Sequence, residues 1–171
     1  MTQLNRLPLR TNDDHFNVIV ETPRGSRVKL AFDDQTGLFL VNKHLQLGFA
    51  FPFPFGFLPS TKGDDGDPLD VLLITDLELP CGVLVHVDLL GVIKMQQRKA
   101  GADVTRNDRL LGVPALDHQD RAPRRMEDIP AAELDAIAQF FKAYQAADGV
   151  AADVVGMGGA GDVDAIIAAA T

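Results

Sequence analysis

The segment Phe49-Ala50-Phe51-Pro52-Phe53-Pro54-Phe55-Gly56-Phe57 limits the folds open to this chain more than any other stretch. Pro52 and Pro54 lack the amide proton that a helix interior or a central strand uses, and their rings fix φ. The segment therefore runs extended and lays its phenylalanine rings against other elements as core packing. Left exposed, such a run would instead be a subunit contact. Around it the chain reads as short strands. Asn17–Glu21 is one. A turn at Pro23–Ser26 leads into Arg27–Phe32, where Val28, Leu30 and Phe32 share one face and Lys29 and Ala31 the other. Asp33–Gly37 is a turn before Leu38–Val41.

After the aromatic run, Ser60–Asp70 is a polar loop rich in Gly and Asp, and Val71–Ile74 is a buried strand. Val83–Met95 is one long strand, or two with a bend at Gly91. Gln96–Asp108 suits a hairpin loop, with Leu110–Val113 returning from it. A helix begins near Ile129-Pro130 with Asp128 as cap, carries a stripe of Leu134, Ile137, Phe141 and Tyr144, and stops near Gly149. The tail holds a short strand at Val154-Val155, a glycine-rich turn and a helix over Val163–Ala170. Strands first and helices last give an α+β chain with an antiparallel sheet or barrel, in a single domain spanning 1–171.

Charge narrows the function. Sixteen basic residues against 24 acidic ones leave a net charge of −8, which argues against general adhesion to nucleic acid or anionic membrane. An anionic small substrate remains open, because a few local cations serve a small site and a metal reconciles acidic protein with acidic ligand. Cys81 is the single cysteine, so no intrachain disulfide forms and a reducing compartment is expected. Cys81 itself reads as a small buried hydrophobe. The opening Met1–Arg6 lacks an apolar signal core, and no apolar run reaches the about 18 residues that span a bilayer. These features point to the cytoplasm.

The strongest chemical signal is Asp65-Gly66-Asp67-Pro68-Leu69-Asp70, preceded by Asp64. Two like charges about 4 Å apart repel by roughly 4 kcal/mol at an effective dielectric of about 20, so gathering them is costly unless a cation sits among them. Hard oxygen donors suit Mg²⁺, Mn²⁺ or Ca²⁺. The other reading is a solvated acidic turn. An EF-hand fails, because aligning Gly66 with its glycine puts Leu72 where the bidentate glutamate belongs. Gly156-Met157-Gly158-Gly159-Ala160-Gly161 matches a G-x-G-x-x-G string, but no second strand and acidic residue follow it before Thr171. The four histidines (His15, His44, His86, His118) show no metal-ligand spacing, and His86 reads as a hydrogen-bonded structural residue in an apolar strand.

Taken in order, Glu21, Lys29, Leu38–Lys43, the aromatic-proline run and Asp65–Asp70 resemble the soluble, Mg²⁺-dependent inorganic pyrophosphatases. Gly91-Val92-Ile93-Lys94-Met95 and Phe140-Phe141-Lys142-Ala143-Tyr144 are also similar to that family, and the likeness covers about residues 14 to 167. The resemblance implies a closed, OB-like antiparallel β-barrel with flanking helices, assembled as a homo-oligomer, often a hexamer. It implies hydrolysis of pyrophosphate to two phosphates with Mg²⁺ or Mn²⁺. By the same resemblance Asp65 and Asp70 match metal ligands, Asp67 matches the carboxylate that takes the proton from the attacking water, and Glu21 matches an acidic residue at the edge of the site. Lys29, Lys43 and Tyr144 match phosphate-binding groups.

The chain also departs from the family pattern. The family's glutamate two residues after Lys29 is Ala31, its phosphate-binding arginine is Lys43, and a tyrosine of the aromatic run is Phe55. After Met95 the family has two aspartates five apart and a lysine two further on. Counted back from Leu110-Leu111, the second aspartate is Asn107 and the lysine Arg109; counted from Lys94-Met95, the first is Gln97. A shifted loop would offer Asp103 and Asp108, themselves five apart, as metal ligands. The lysine after the site tyrosine is Gln145. The readings left open are a pyrophosphatase of reduced activity, a hydrolase of another phosphoanhydride, and a non-catalytic relative that binds phosphate or a partner.

Overall fold

In the computed structural model the chain is described over residues 4–116 and 122–171; His118 and Met1–Gln3 lie outside the described residues. Nine strands and two helices follow in the order β1 (Phe16–Thr22), β2 (Val28–Asp33), β3 (Leu38–His44), β4 (Phe55–Phe57), β5 (Asp70–Leu73), β6 (Leu84–Arg98), β7 (Thr105–Arg106), β8 (Arg109–Pro114), α1 (Ala131–Ala146), β9 (Ala151–Gly158) and α2 (Ala160–Ala170). Pairing runs β1-β4-β5-β8-β6, and β6 pairs back to β1, so the ladder closes on itself. Closure leaves these five strands without an open edge. One ladder departs from the antiparallel expectation: β5 and β8 run parallel, with Asp70 opposite Arg109.

Alternation along the strands divides the core in two. Leu72, Ile93 and Leu111 pack with Phe51, Phe55 and the α1 stripe of Leu134, Ile137, Phe141 and Tyr144. Their neighbours Val71, Leu73, Val92 and Leu110 pack instead with Val18, Val20 and Val87 and with Val163 and Ile167 of α2. Burial on both faces is why β1 and β8 are covered at every residue. Each fully buried side chain of this kind contributes about 1.5–3 kcal/mol.

The aromatic run behaves as core. Phe51, Phe55 and Phe57 are buried, and its backbone is used by its neighbours: the amide of Gly25 donates to the Phe51 carbonyl (2.8 Å) and that of Leu73 to the Pro54 carbonyl (2.9 Å). The proline-free end, Phe55–Phe57, does form a central strand between β1 and β5. A side chain at Gly56 would place its Cβ 2.0 Å from the Ile19 carbonyl oxygen, so only glycine lets β1 and β4 meet there.

Several local expectations are corrected. The loop after β6 is shorter than Gln96–Asp108, because β6 continues to Arg98 and pairs with β7 and β9, leaving residues 99–104 as the connection to β7 and residues 107–108 as the link to β8. The strand at Val154-Val155 extends to β9, and the glycines from Gly156 form its end and the N-cap of α2 rather than a flexible turn. Asp128 does not cap α1; Pro130 holds that place, and the Asp128 carboxylate accepts the Arg124 amide at 3.0 Å within a 3₁₀ turn. Cys81, ahead of β6, is half-buried, and His86 is exposed because β6 turns alternate residues to solvent there. Among the described residues no helix is long and apolar enough to cross a membrane.

Outside the closed ladder, β2 and β3 form a separate hairpin. The buried Thr22 hydroxyl ties it to β1, accepting the Leu30 amide (3.0 Å) and donating to the Leu30 carbonyl (3.1 Å). This tether sets the hairpin over the end of the barrel where β5 and β8 begin.

Candidate active site

The acidic string forms a loop that holds its own shape. Gly66 has φ +91°, and its amide donates to the Gly63 carbonyl at 3.0 Å. That left-handed conformation is the reason for glycine at this position. The amide of Gly63 donates to the Asp67 carbonyl (2.7 Å), and the Thr61 hydroxyl accepts the Leu69 amide (3.0 Å). The loop's backbone groups therefore bond to each other, while Asp65 and Asp67 project into a cleft. Asp70, the first residue of β5, lines the same cleft.

Two adjoining cavities share Lys29, Asn42, Asp67 and Asp70. Asp65, Lys43 and Tyr144 line one of them; Glu21 and Ala31 line the other. The fold thus brings together Glu21, Lys29, Lys43, Asp65, Asp67, Asp70 and Tyr144. Asp103 is exposed in the 99–104 turn and is not part of this lining. Asp108 lines a neighbouring cavity that Asp65 and Asp70 also border, where Arg106 grips both its oxygens (2.8 and 2.7 Å) and the Met95 amide donates to it at 2.9 Å. Gln97 lines the cleft from β6, and Asn107 from the residue pair ahead of β8.

The cations arrive as a cross-strand pair: Lys29 of β2 lies opposite Lys43 of β3. Like charges directly opposite destabilise a hairpin. Here each ammonium has compensation. Lys29 lies 5.4 Å from the centre of the Phe55 ring. Lys43 lies 3.4 Å from the centre of the Tyr144 ring, donates to the Tyr144 carbonyl at 3.0 Å and pairs with Asp148. Lysine at 43 keeps charge in place of the family's arginine but gives up the planar fork.

Burial controls the acids. Glu21 is buried on β1 and its Oε1 accepts the Phe32 amide at 2.7 Å. Loss of water raises its pKa to about 7, with the charges of Asp70 and Asp67 adding to the rise and the Phe32 amide and Lys29 opposing it. Asp65 is exposed as a residue, yet crowding of its carboxyl by the cleft wall raises its pKa, again with help from Asp70 and Asp67. Burial also raises the Tyr144 pKa, so its phenol stays protonated as a donor.

Among the described residues no ion pair reaches Glu21, Asp65 or Asp67, and no three acidic, histidine or cysteine side chains are grouped so as to hold a metal ion by themselves. The donor chemistry still fits a hard divalent ion. Asp65 and Asp67 offer oxygens that are in no ion pair among the described residues, and the neighbouring carboxylates of Asp70 and Asp67 add to the rise that burial begins in the Asp65 pKa.

Substituted positions are organised rather than scattered. Gln97 and Gln145 meet at 2.9 Å, amide to amide, joining β6 to α1 across the cleft. Arg109, at the start of β8 and 4% exposed, has its Nη1 on both Asp70 Oδ2 and Asn107 Oδ1. Its guanidinium lies 5.0 Å from the Phe141 ring centre and 6.0 Å from that of Phe55. Sequence reasoning noted Arg109 as a replacement but not its place at the centre of the site; only the β5–β8 register reveals that. Asp148 was missed too, although its position just past the Tyr144 helix was a signal.

Comparison with known proteins gives a consistent result. A model of the inorganic pyrophosphatase family matches residues 18–171. An inorganic pyrophosphatase of Synechocystis sp. is 32% identical over 164 residues, 96% of this chain and 92% of that protein. The structure of an inorganic pyrophosphatase from Thermus thermophilus superposes with a TM-score of 0.87 at 28% identity, covering 98% of this chain and 96% of that one. One from Coxiella burnetii gives 0.85 at 32% identity, covering 96% and 97%.

Proposed function

The chain belongs to the inorganic pyrophosphatase family, and from that premise we propose how its own residues divide the work of splitting pyrophosphate into two phosphates. The observation that carries the assignment is the convergence of Asp65, Asp67 and Asp70 with Lys29, Lys43 and Tyr144 on one cleft. Phosphoryl transfer needs positioning and charge neutralisation more than covalent chemistry, and this cleft offers both.

Lys29 and Lys43, opposed across the hairpin, hold the oxygens of the two phosphoryl groups, which relieves the repulsion between the lysines themselves. The protonated Tyr144 hydroxyl donates to one of those oxygens. Asp67 has no side-chain hydrogen bond among the described residues, so its carboxylate is free to take the proton of the attacking water. Asp65 and Asp70 would hold Mg²⁺ or Mn²⁺, with Glu21 at the margin and one oxygen of Asp70 given to Arg109. When bound, the ion supplies a more acidic water and neutralises phosphate charge. Asp103 and Asp108 take no part in this arrangement. The chain works in the cytoplasm as a homo-oligomer, with the hexamer suggested by the family resemblance.

The test is phosphate release from pyrophosphate by the purified protein, with and without Mg²⁺, beside Asp67→Asn. Loss of a general base costs about 10²–10⁴ in rate. Asp67 is exposed, so its melting temperature should not move. Unaltered activity in Asp67→Asn would remove the role given to Asp67; no Mg²⁺-dependent release by the wild type would remove the hydrolytic assignment.

A further inference from the structure

We propose that Arg109 is a built-in counter-ion of the cleft, occupying the Asp70 side of the carboxylate cluster so that the chain holds one divalent ion there and not two. The inference rests on the hydrolytic reading of the site but concerns its ion count. Asp70 and Arg109 lie directly opposite on the parallel ladder, so strand register, not side-chain flexibility, brings them together. The guanidinium is buried among Phe141, Phe55, Asp70 and Asn107, and an arginine does not lose its proton in a protein. It is therefore a permanent positive charge in a fixed place.

The surroundings are matched to that charge. One guanidinium balances one carboxylate, and the second side chain on Nη1 is the neutral Asn107. Beside it the Gln97–Gln145 pair is neutral on both sides. Across the two cavities, six carboxylates, with Asp34 beside those already named, face the five cations Lys29, Lys43, Lys62, Lys99 and Arg109, close to balance before any metal enters. A divalent ion on the Arg109 side of Asp70 would meet the guanidinium as a like charge. On the other side, Asp65 and the second oxygen of Asp70 are in no ion pair among the described residues, and one ion fits.

The experiment counts Mn²⁺ bound per chain, by electron paramagnetic resonance of the free ion during titration of the metal-free protein. The proteins compared are wild type, Arg109→Gln and Asn107→Asp. The expected count is one for wild type and two for each variant. Arg109→Gln removes the competing cation; Asn107→Asp adds a carboxylate that a single guanidinium cannot also neutralise. Asn107 is only half-buried and the replacement is nearly isosteric, so this variant decides the matter alone if Arg109→Gln fails to fold by circular dichroism. A wild-type count other than one, or a folded variant whose count does not rise, overturns the proposal. Phosphate release by wild type is scored separately: its absence refutes the hydrolytic reading and leaves the ion count to stand or fall by itself.

Discussion

Glu21 should make the metal-free protein less stable as pH rises through neutrality. Its carboxyl titrates near 4.5 when unfolded and near about 7 in the native chain. Between those values the folded state holds a proton that the unfolded state has released, so stability falls with rising pH across that window and levels off above it. A shift of about 2.5 units at about 1.36 kcal/mol each amounts to about 3 kcal/mol, most of it expressed between pH 5 and 8. For a domain of this size that corresponds to about 6–12 °C in Tm. Glu21→Gln keeps the acceptor for the Phe32 amide and removes the charge, so its stability should stay flat where the wild type declines. The assay is thermal or urea unfolding of both proteins in chelator from pH 5 to 8, taking the difference at each pH to cancel other groups. Added Mg²⁺ should shrink the wild-type decline, because a nearby cation favours the carboxylate. Parallel curves for the two proteins across the whole range would refute the reasoning.

Three further outcomes are expected. Tyr144→Phe keeps the ring against Phe51, Phe140 and Lys43; stability should change by no more than about 0.5 kcal/mol, while kcat/KM for pyrophosphate should fall about 10–100-fold through loss of a hydrogen bond to a charged group. Gln97→Asp and Gln145→Lys should each destabilise the protein alone and largely cancel when combined, with a coupling energy of about 0.5–3 kcal/mol in urea unfolding; zero coupling would mean that the amide pair does not link β6 to α1. Ala31→Glu adds a carboxylate to the cavity of Glu21, Lys29 and Asp67, and should raise Mg²⁺ affinity or the hydrolytic rate; a titration curve and rate identical to wild type would reject that effect.

The legible parts of the fold are those whose cause is local. β5 and β8 read as strands because they are apolar on both faces, and the acidic loop reads as a candidate site because its carboxylates are adjacent in sequence. The α1 stripe was visible from its spacing. Polar strands were not: Gln96, Gln97 and Arg98 extend β6 only because β7 and β9 take up their backbone groups, and no hydrophobic period announces that. The same holds for the contacts that join substituted positions. Arg109 and Asp70 are 39 residues apart, and Gln145 and Gln97 are 48 apart. Their meeting depends on register between elements, which no reading of single segments contains. Asp128 was misplaced as a cap because Asp before Pro resembles a helix start, whereas its carboxylate is already bound to the 3₁₀ turn before α1.

The in-register pairing of Asp70 with Arg109 has a consequence for how this chain tolerates change in length. A slip of β8 by one residue would turn Arg109 to the opposite face and exchange Leu110 and Leu111 between the two cores, so the register is held by core and ion pair together. The connection between β6 and β7, residues 99–104, is exposed, and beyond Lys99 it contributes nothing to the cleft. Doubling such a loop raises its closure entropy by only about 0.6 kcal/mol. Tags, linkers or whole inserted domains placed at Gly101 should therefore leave the cleft intact, making this hairpin tip the natural port for engineering the protein.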